Sequence, residues 1–125
     1  MKRLTAVLLL AVSSVLSGCT GADCTSILLW GISVTIVDGA TGNRFTGDVT
    51  VTVTDGSYTE TESPPLLPAG PRVSNLAGER PGTYRVEVRA PGYVTWIRTN
   101  VRVRQGDCHV RTVHLTAELE PSGTG

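Results

Sequence analysis

The side chains with the most chemistry in this 125-residue chain are three cysteines, Cys19, Cys24 and Cys108, and two histidines, His109 and His114. An odd number of thiols cannot pair completely, so one of the three needs a separate fate. No two have Cys-x-x-Cys spacing, which argues against a redox or zinc motif. The histidines lie five apart on one expected strand, a spacing that sends them to opposite faces. Without a cluster of carboxylates around them they make a poor metal site, so both are read as surface residues and no metal or cofactor is expected. Asp38, Asp48 and Asp55 each sit beside a glycine, where aspartate commonly caps a turn through backbone hydrogen bonds. A calcium site between two of those loops is the alternative. No Gly-x-Ser-x-Gly elbow or other nucleophile setting is present, so the chain is expected not to be an enzyme.

The leader decides which cysteine stands apart. Met1-Lys2-Arg3 is a basic head, residues 4–15 are almost wholly apolar, and Leu16-Ser17-Gly18-Cys19 closes the run with small residues. A bilayer-spanning helix wants roughly 20 apolar residues, so this run is too short to cross. Its order of basic head, apolar core and small-residue box resembles the bacterial lipoprotein signal. That resemblance implies cleavage after residue 18, diacylglycerol on the Cys19 sulfur, and a fatty acid such as palmitate on the new amino terminus. A lipid-bearing sulfur cannot join a disulfide, which leaves Cys24 and Cys108. One precedes the first expected strand and the other opens the last, and in an exported chain a structural disulfide between them is the natural reading.

Residues 19–23 then form the anchor and a tether of Thr20-Gly21-Ala22-Asp23, which extends at most about 15 Å. The domain is therefore expected to work close to the lipid headgroups. Thr20, where aspartate would retain a lipoprotein at the inner membrane by resemblance to diderm sorting rules, points to the outer membrane if the bacterium is diderm.

Loss of Lys2 and Arg3 with the leader turns a balance of eleven basic and eleven acidic residues into a net charge of −2. That argues against nucleic acid, which needs a concentrated basic excess. No lysine remains either, which excludes the lysine–asparagine isopeptide bonds of cross-linked surface adhesins.

Residues 24–119 read as one all-β domain. Leu28, Trp30, Ile32, Val34 and Ile36 alternate with their neighbours as a strand with one buried face, which places Trp30 in the core. Asp38 to Asn43 is a turn. Val49, Val51 and Val53 alternate with threonines over 48–54, and Asp55-Gly56 turns the chain into a polar edge strand over 57–62, open to strand addition by a partner. The four prolines of 63–71 mark a surface loop before a short strand near 73–76. Tyr84, Val86 and Val88 define a strand over 82–90. Val101 and Val103 define another within 93–104, and Val113, Leu115, Ala117 and Leu119 define the last within 108–119. Val110 is out of register, so a bulge or bend is expected between it and Val113. Residues 120–125 read as a flexible tail. No segment after the leader has helical periodicity, so the expected fold is a sandwich of six or seven strands.

Val37-Asp38 with Thr41-Gly42, then Asp55-Gly56-Ser57-Tyr58, Gly82-Thr83-Tyr84-Arg85-Val86-Glu87-Val88 and Ala90-Pro91-Gly92-Tyr93 together resemble the carboxypeptidase regulatory-like domains of the transthyretin-like group. The likeness covers about 32–115 and departs from the pattern in the proline-rich 60–80. It implies a Greek-key sandwich acting as an accessory or binding module, with no shared catalytic residues. The same group includes a hydrolase of 5-hydroxyisourate, but its Tyr-Arg-Gly-Ser ending is replaced here by Glu120-Pro121-Ser122-Gly123-Thr124-Gly125.

Two sets of residues are left as candidates for binding. Arg85, Arg89, Arg98, Arg102, Arg104 and Arg111 fall on the last three expected strands. If those strands share a sheet, they form a basic stripe suited to phosphate or carboxylate groups of an envelope glycolipid or an acidic protein. The bland reading is that they solvate a β face and discourage edge pairing. Tyr93 and Trp96 could stack on a sugar.

Overall fold

The structure, a computed structural model, describes residues 24–123, so the leader, Cys19 and the tether lie outside the described residues. Eight strands and no helix make up the described chain: β1 (Trp30–Asp38), β2 (Thr50–Asp55), β3 (Tyr58–Glu62), β4 (Val73–Gly78), β5 (Gly82–Arg89), β6 (Trp96–Gln105), β7 (Val110–Arg111) and β8 (Val113–Leu119). They form a two-sheet sandwich, with order β4-β1-β8 in one sheet and β3-β2-β5-β6-β7 in the other. The first and last strands pair in parallel from Ile32↔Val113 to Asp38↔Leu119.

Alternation builds the core as the pleat requires. Ile32, Val34, Ile36, Leu76, Ala117 and Leu119 of the smaller sheet face Val51, Val53, Tyr84, Val86, Val88, Val101 and Val103 of the larger one. At about 25 cal/mol per Å² of apolar surface, this interleaved layer supplies most of the driving force for folding. The hairpin β2–β3 closes through Gly56-Ser57, with Asp55 paired to Tyr58. Gly56 has φ 57, the left-handed value that such two-residue turns favour.

The last expected strand is two strands in two sheets. β7 pairs with β6, whereas β8 joins β1 after Thr112, so the chain crosses the sandwich where a bulge or bend was expected. Val110 is out of register because it faces the core from the other sheet. Cys108 and His109 lie in the turn before β7 and not on a strand.

Trp30 departs from its expected core position and is 37% exposed. The alternation fails there because the backbone itself fills the interior. Ala77, opposite Gly31, has φ 56, and a Cβ at Gly31 would lie 2.7 Å from the Ala77 carbonyl oxygen and 3.0 Å from Val103. The expected short strand at 73–76 is the full six-residue β4, antiparallel to β1.

Residues 120–122, at the start of the expected tail, are hydrogen-bonded to the chain ahead of β6. The Ser122 N–H donates to the Gly92 carbonyl at 2.9 Å, and the Val94 N–H donates to the Glu120 carbonyl at 2.8 Å. Residues 120–122 thereby satisfy backbone groups of the segment between β5 and β6.

Candidate functional site

Five of the six arginines share the outer face of the larger sheet. Arg85 and Arg89 alternate with buried Val86 and Val88 on β5, and Arg102 and Arg104 flank buried Val103 on β6. Arg111 of β7 stands directly across from Arg104. Arg98 is separated from them by a bulge. Its register partner is the inward-facing Val86, while Tyr84 pairs with Val101, and Asn100 between them has φ 56. This irregularity reverses the pleat, so Arg98 projects on the opposite face of β6 and lies 5.2 Å over the Trp96 ring.

The stripe is not evenly charged. Glu87 takes hydrogen bonds from Arg89 at 2.6 and 2.9 Å and stands 3.6 Å from Arg85. Arg102, Arg104 and Arg111 have no carboxylate partner among the described residues. Arg102 and Arg104 line a shallow groove of about 460 Å³ with Pro81, Gly82, Thr83, Val103 and Gln105. The available positive charge therefore gathers at the β6–β7 end, where Arg's planar fork suits phosphate or carboxylate oxygens.

Tyr93 and Trp96 do not form one platform. Tyr93 packs edge-on against Phe45 at 4.9 Å and lines a depression of about 380 Å³ with Asp38, Arg44 and Asp48. Trp96 lines a separate groove of about 320 Å³ with Val94, Thr95, Glu118 and Glu120. Of the three aspartates, Asp38 and Asp48 share the Tyr93 depression and Asp55 stands apart from them. The Asp38 carboxylate accepts from the Ala40 and Thr41 N–H groups, Asp55 pairs with Arg80 at 3.0 Å, and no cluster of three possible metal ligands occurs among the described residues.

Cys24 and Cys108 form a disulfide, with Cα atoms 5.2 Å apart. It fixes the start of the described chain to the β6–β7 turn. Beside it lies a cluster that sequence reasoning missed. The Glu79 carboxylate accepts from the Leu29 N–H at 2.8 Å, contacts His109 Nδ1 at 2.5 Å and accepts from the Val110 N–H at 3.3 Å. The other ring nitrogen, Nε2, is 3.2 Å from the Thr25 hydroxyl. His109 is thus half-buried and engaged, not a surface bystander, whereas His114 is exposed on β8. Glu79 reaches all three partners because its backbone has φ 48. That conformation is uncommon for a residue other than glycine and had no signature in the sequence.

The Leu29 N–H, aided by His109 and Val110, holds the Glu79 carboxyl below its ordinary 4.5. A lowered carboxyl stabilises the fold fully above about pH 4.5, and that contribution is lost as the pH falls through the lowered value. Urea unfolding of Glu79→Gln is accordingly expected to show a smaller fall in stability than wild type between neutral pH and the acid limb. Equal falls would show that the cluster contributes nothing.

A second cluster binds the opposite corner of the same end. The Arg80 guanidinium lies 3.9 Å over the Tyr58 ring and donates to the Tyr84 hydroxyl at 2.8 Å. The Tyr58 hydroxyl donates to Glu60 at 2.6 Å, and this bond is the main reason that its pKa is pushed up to about 12. No protein-family model and no curated protein matches the chain.

Proposed function

We propose that this chain is a lipid-anchored, noncatalytic module of a bacterial cell envelope, a sandwich of the transthyretin-like kind that meets anionic partners with its arginine face. The observation that carries the reading is the use of the cysteines. The Cys24–Cys108 bond consumes both domain thiols and leaves Cys19, within Leu16-Ser17-Gly18-Cys19, for lipid. Two or three acyl chains make a stable anchor, since each buried CH₂ contributes about 0.8 kcal/mol. Outer-membrane placement follows from Thr20 on the same reading. The partner is an acidic envelope protein or a phosphorylated glycan or glycolipid.

Two measurements test this. The wild-type protein is expected in the membrane fraction and Cys19→Ser in the soluble fraction; an unchanged distribution would contradict the anchor. Arg102→Gln/Arg104→Gln/Arg111→Gln is expected to weaken binding to a phosphorylated glycolipid about tenfold at low salt, since three exposed ion pairs contribute about 0.5 kcal/mol each. Binding unaffected by the substitutions would remove the arginine face from the account.

A further inference from the structure

The end of the sandwich that carries the disulfide also carries an apolar surface that the described residues leave exposed. Ile27 is 59% exposed, Leu28 55% and Trp30 37%. These three are unlike the other exposed apolar residues, because they follow directly on Cys24. Leu28 and Trp30 lie side by side over Gly78, where an added Cβ would stand 3.2 and 3.3 Å from them. Their backbone is fixed. Glu79 takes the Leu29 N–H, and the Thr112 hydroxyl donates to the Trp30 carbonyl at 2.6 Å. Thr112 follows Arg111, which pairs across to Arg104. One end of the domain thus combines a rigid apolar loop with two exposed arginines that lack carboxylate partners among the described residues.

We infer that this end is a membrane-docking face: Ile27, Leu28 and Trp30 enter the headgroup–acyl boundary, and Arg104 and Arg111 meet lipid phosphates. The inference rests on the lipid anchor proposed at Cys19. What selects a bilayer as the occupant is the length of chain between anchor and domain. Five residue steps separate Cys19 from Cys24, so Cys24 stays within about 18 Å of the residue that bears the lipid, and the loop begins three residues beyond it. The disulfide prevents the start of the domain from peeling away to lengthen that reach. A patch too small to bind a bilayer from solution is then presented to it at high effective concentration. Tryptophan suits the position, since its amphipathic ring favours the membrane–water boundary. Docking also orients the sandwich, turning the far-end loops around Asp38, Asp48 and Pro91 away from the membrane.

The chain has two tryptophans, and this permits a direct test with the full acylated protein in vesicles of phosphatidylcholine and phosphatidylglycerol whose acyl chains carry bromine. In Trp96→Phe the emission of Trp30 is expected to be quenched roughly threefold more than that of Trp96 in Trp30→Phe, since interfacial burial reaches about 5–10 Å into the boundary. Adding Ile27→Asp and Leu28→Asp, both at exposed positions, is expected to bring Trp30 quenching down to the level of Trp96. Equal quenching in protein whose mass shows acylated Cys19 would overturn the docking face and leave the anchor standing. An unquenched Trp30 in a protein that sediments as a dimer would assign the patch to a second copy and overturn it as well. A native protein without acyl chains on Cys19 would remove the anchor reading, and the inference with it.

Discussion

Replacing Cys24 and Cys108 together by serine is expected to remove roughly 4 to 5 kcal/mol of stability, the chain-entropy value for an 84-residue separation. The double substitution is the right comparison because a single one would leave a reactive thiol. A domain of this size has only about 5–15 kcal/mol in total, so the variant would stand near the threshold of folding. Its thermal midpoint is expected to fall by roughly 16–40 °C, at about 4–8 °C per kcal/mol. Besides the bridge, the segment before β1 is held at Leu29, whose N–H and carbonyl both pair with Glu79, and only weakly ahead of it. The Thr25–His109 contact at 3.2 Å is exposed, and Ile27 and Leu28 bury little. A loss below about 1 kcal/mol in urea unfolding would mean that the unfolded chain is not appreciably restrained by the bridge.

Arg72→Met is expected to destabilise the domain by about 3 kcal/mol, because it leaves buried carbonyls without donors. Arg72 is only 7% exposed. Its Nε and Nη2 donate to the Pro64 carbonyl at 3.3 and 2.8 Å, and its Nη1 donates to those of Phe45 and Gly47 at 3.3 and 2.5 Å. One guanidinium thereby joins the proline-rich loop to the segment before β2. Arg72→Lys is not expected to restore it, since a single ammonium cannot span three carbonyls in two segments. Full stability in Arg72→Lys would show that charge alone suffices there. Hydrogen exchange should locate the damage at residues 45–47 and 63–71, with β5 and β6 protected.

These two residues show what could and could not be read in advance. The disulfide followed from the expected export and the expected lipid on Cys19, both of which were read from a linear stretch of the sequence. Arg72 gave no such signal, because its partners are carbonyls 8 to 27 residues away and any residue supplies a carbonyl. The alternating valines of β2, β5 and β6 were legible because a two-residue period survives wherever a strand is regular. It misled at the irregular points. Gly31 against Ala77 turned Trp30 outward, and the left-handed Asn100 moved Arg98 off the face shared by the other arginines. Glu79 has the same cause. A positive φ is a property of how the chain is packed, and a glutamate in that conformation looks like any other in sequence.

The charged face and the apolar end become one account if the domain is held end-on to a bilayer by its own amino terminus. Arg104 and Arg111 then lie at the headgroups, while Arg85 and Arg89, already engaged with Glu87, mainly keep β5 solvated. Edge strand β3 is guarded in a different way. Its Glu60 and Glu62 carboxylates turn toward β4, where they accept from the Ala77 N–H at 2.8 Å and the Asn75 N–H at 3.0 Å. Inward-facing charge of this kind discourages strand addition at an edge.

The most direct test is the intact mass of the protein extracted from its native membrane, taken before and after reduction. The account predicts a chain beginning at Cys19, heavier than its sequence by diacylglycerol and an N-terminal acyl group, that gains two hydrogens on reduction. A chain with Cys19 unmodified, or one in which Cys19 is bonded to Cys24 or Cys108, would contradict it.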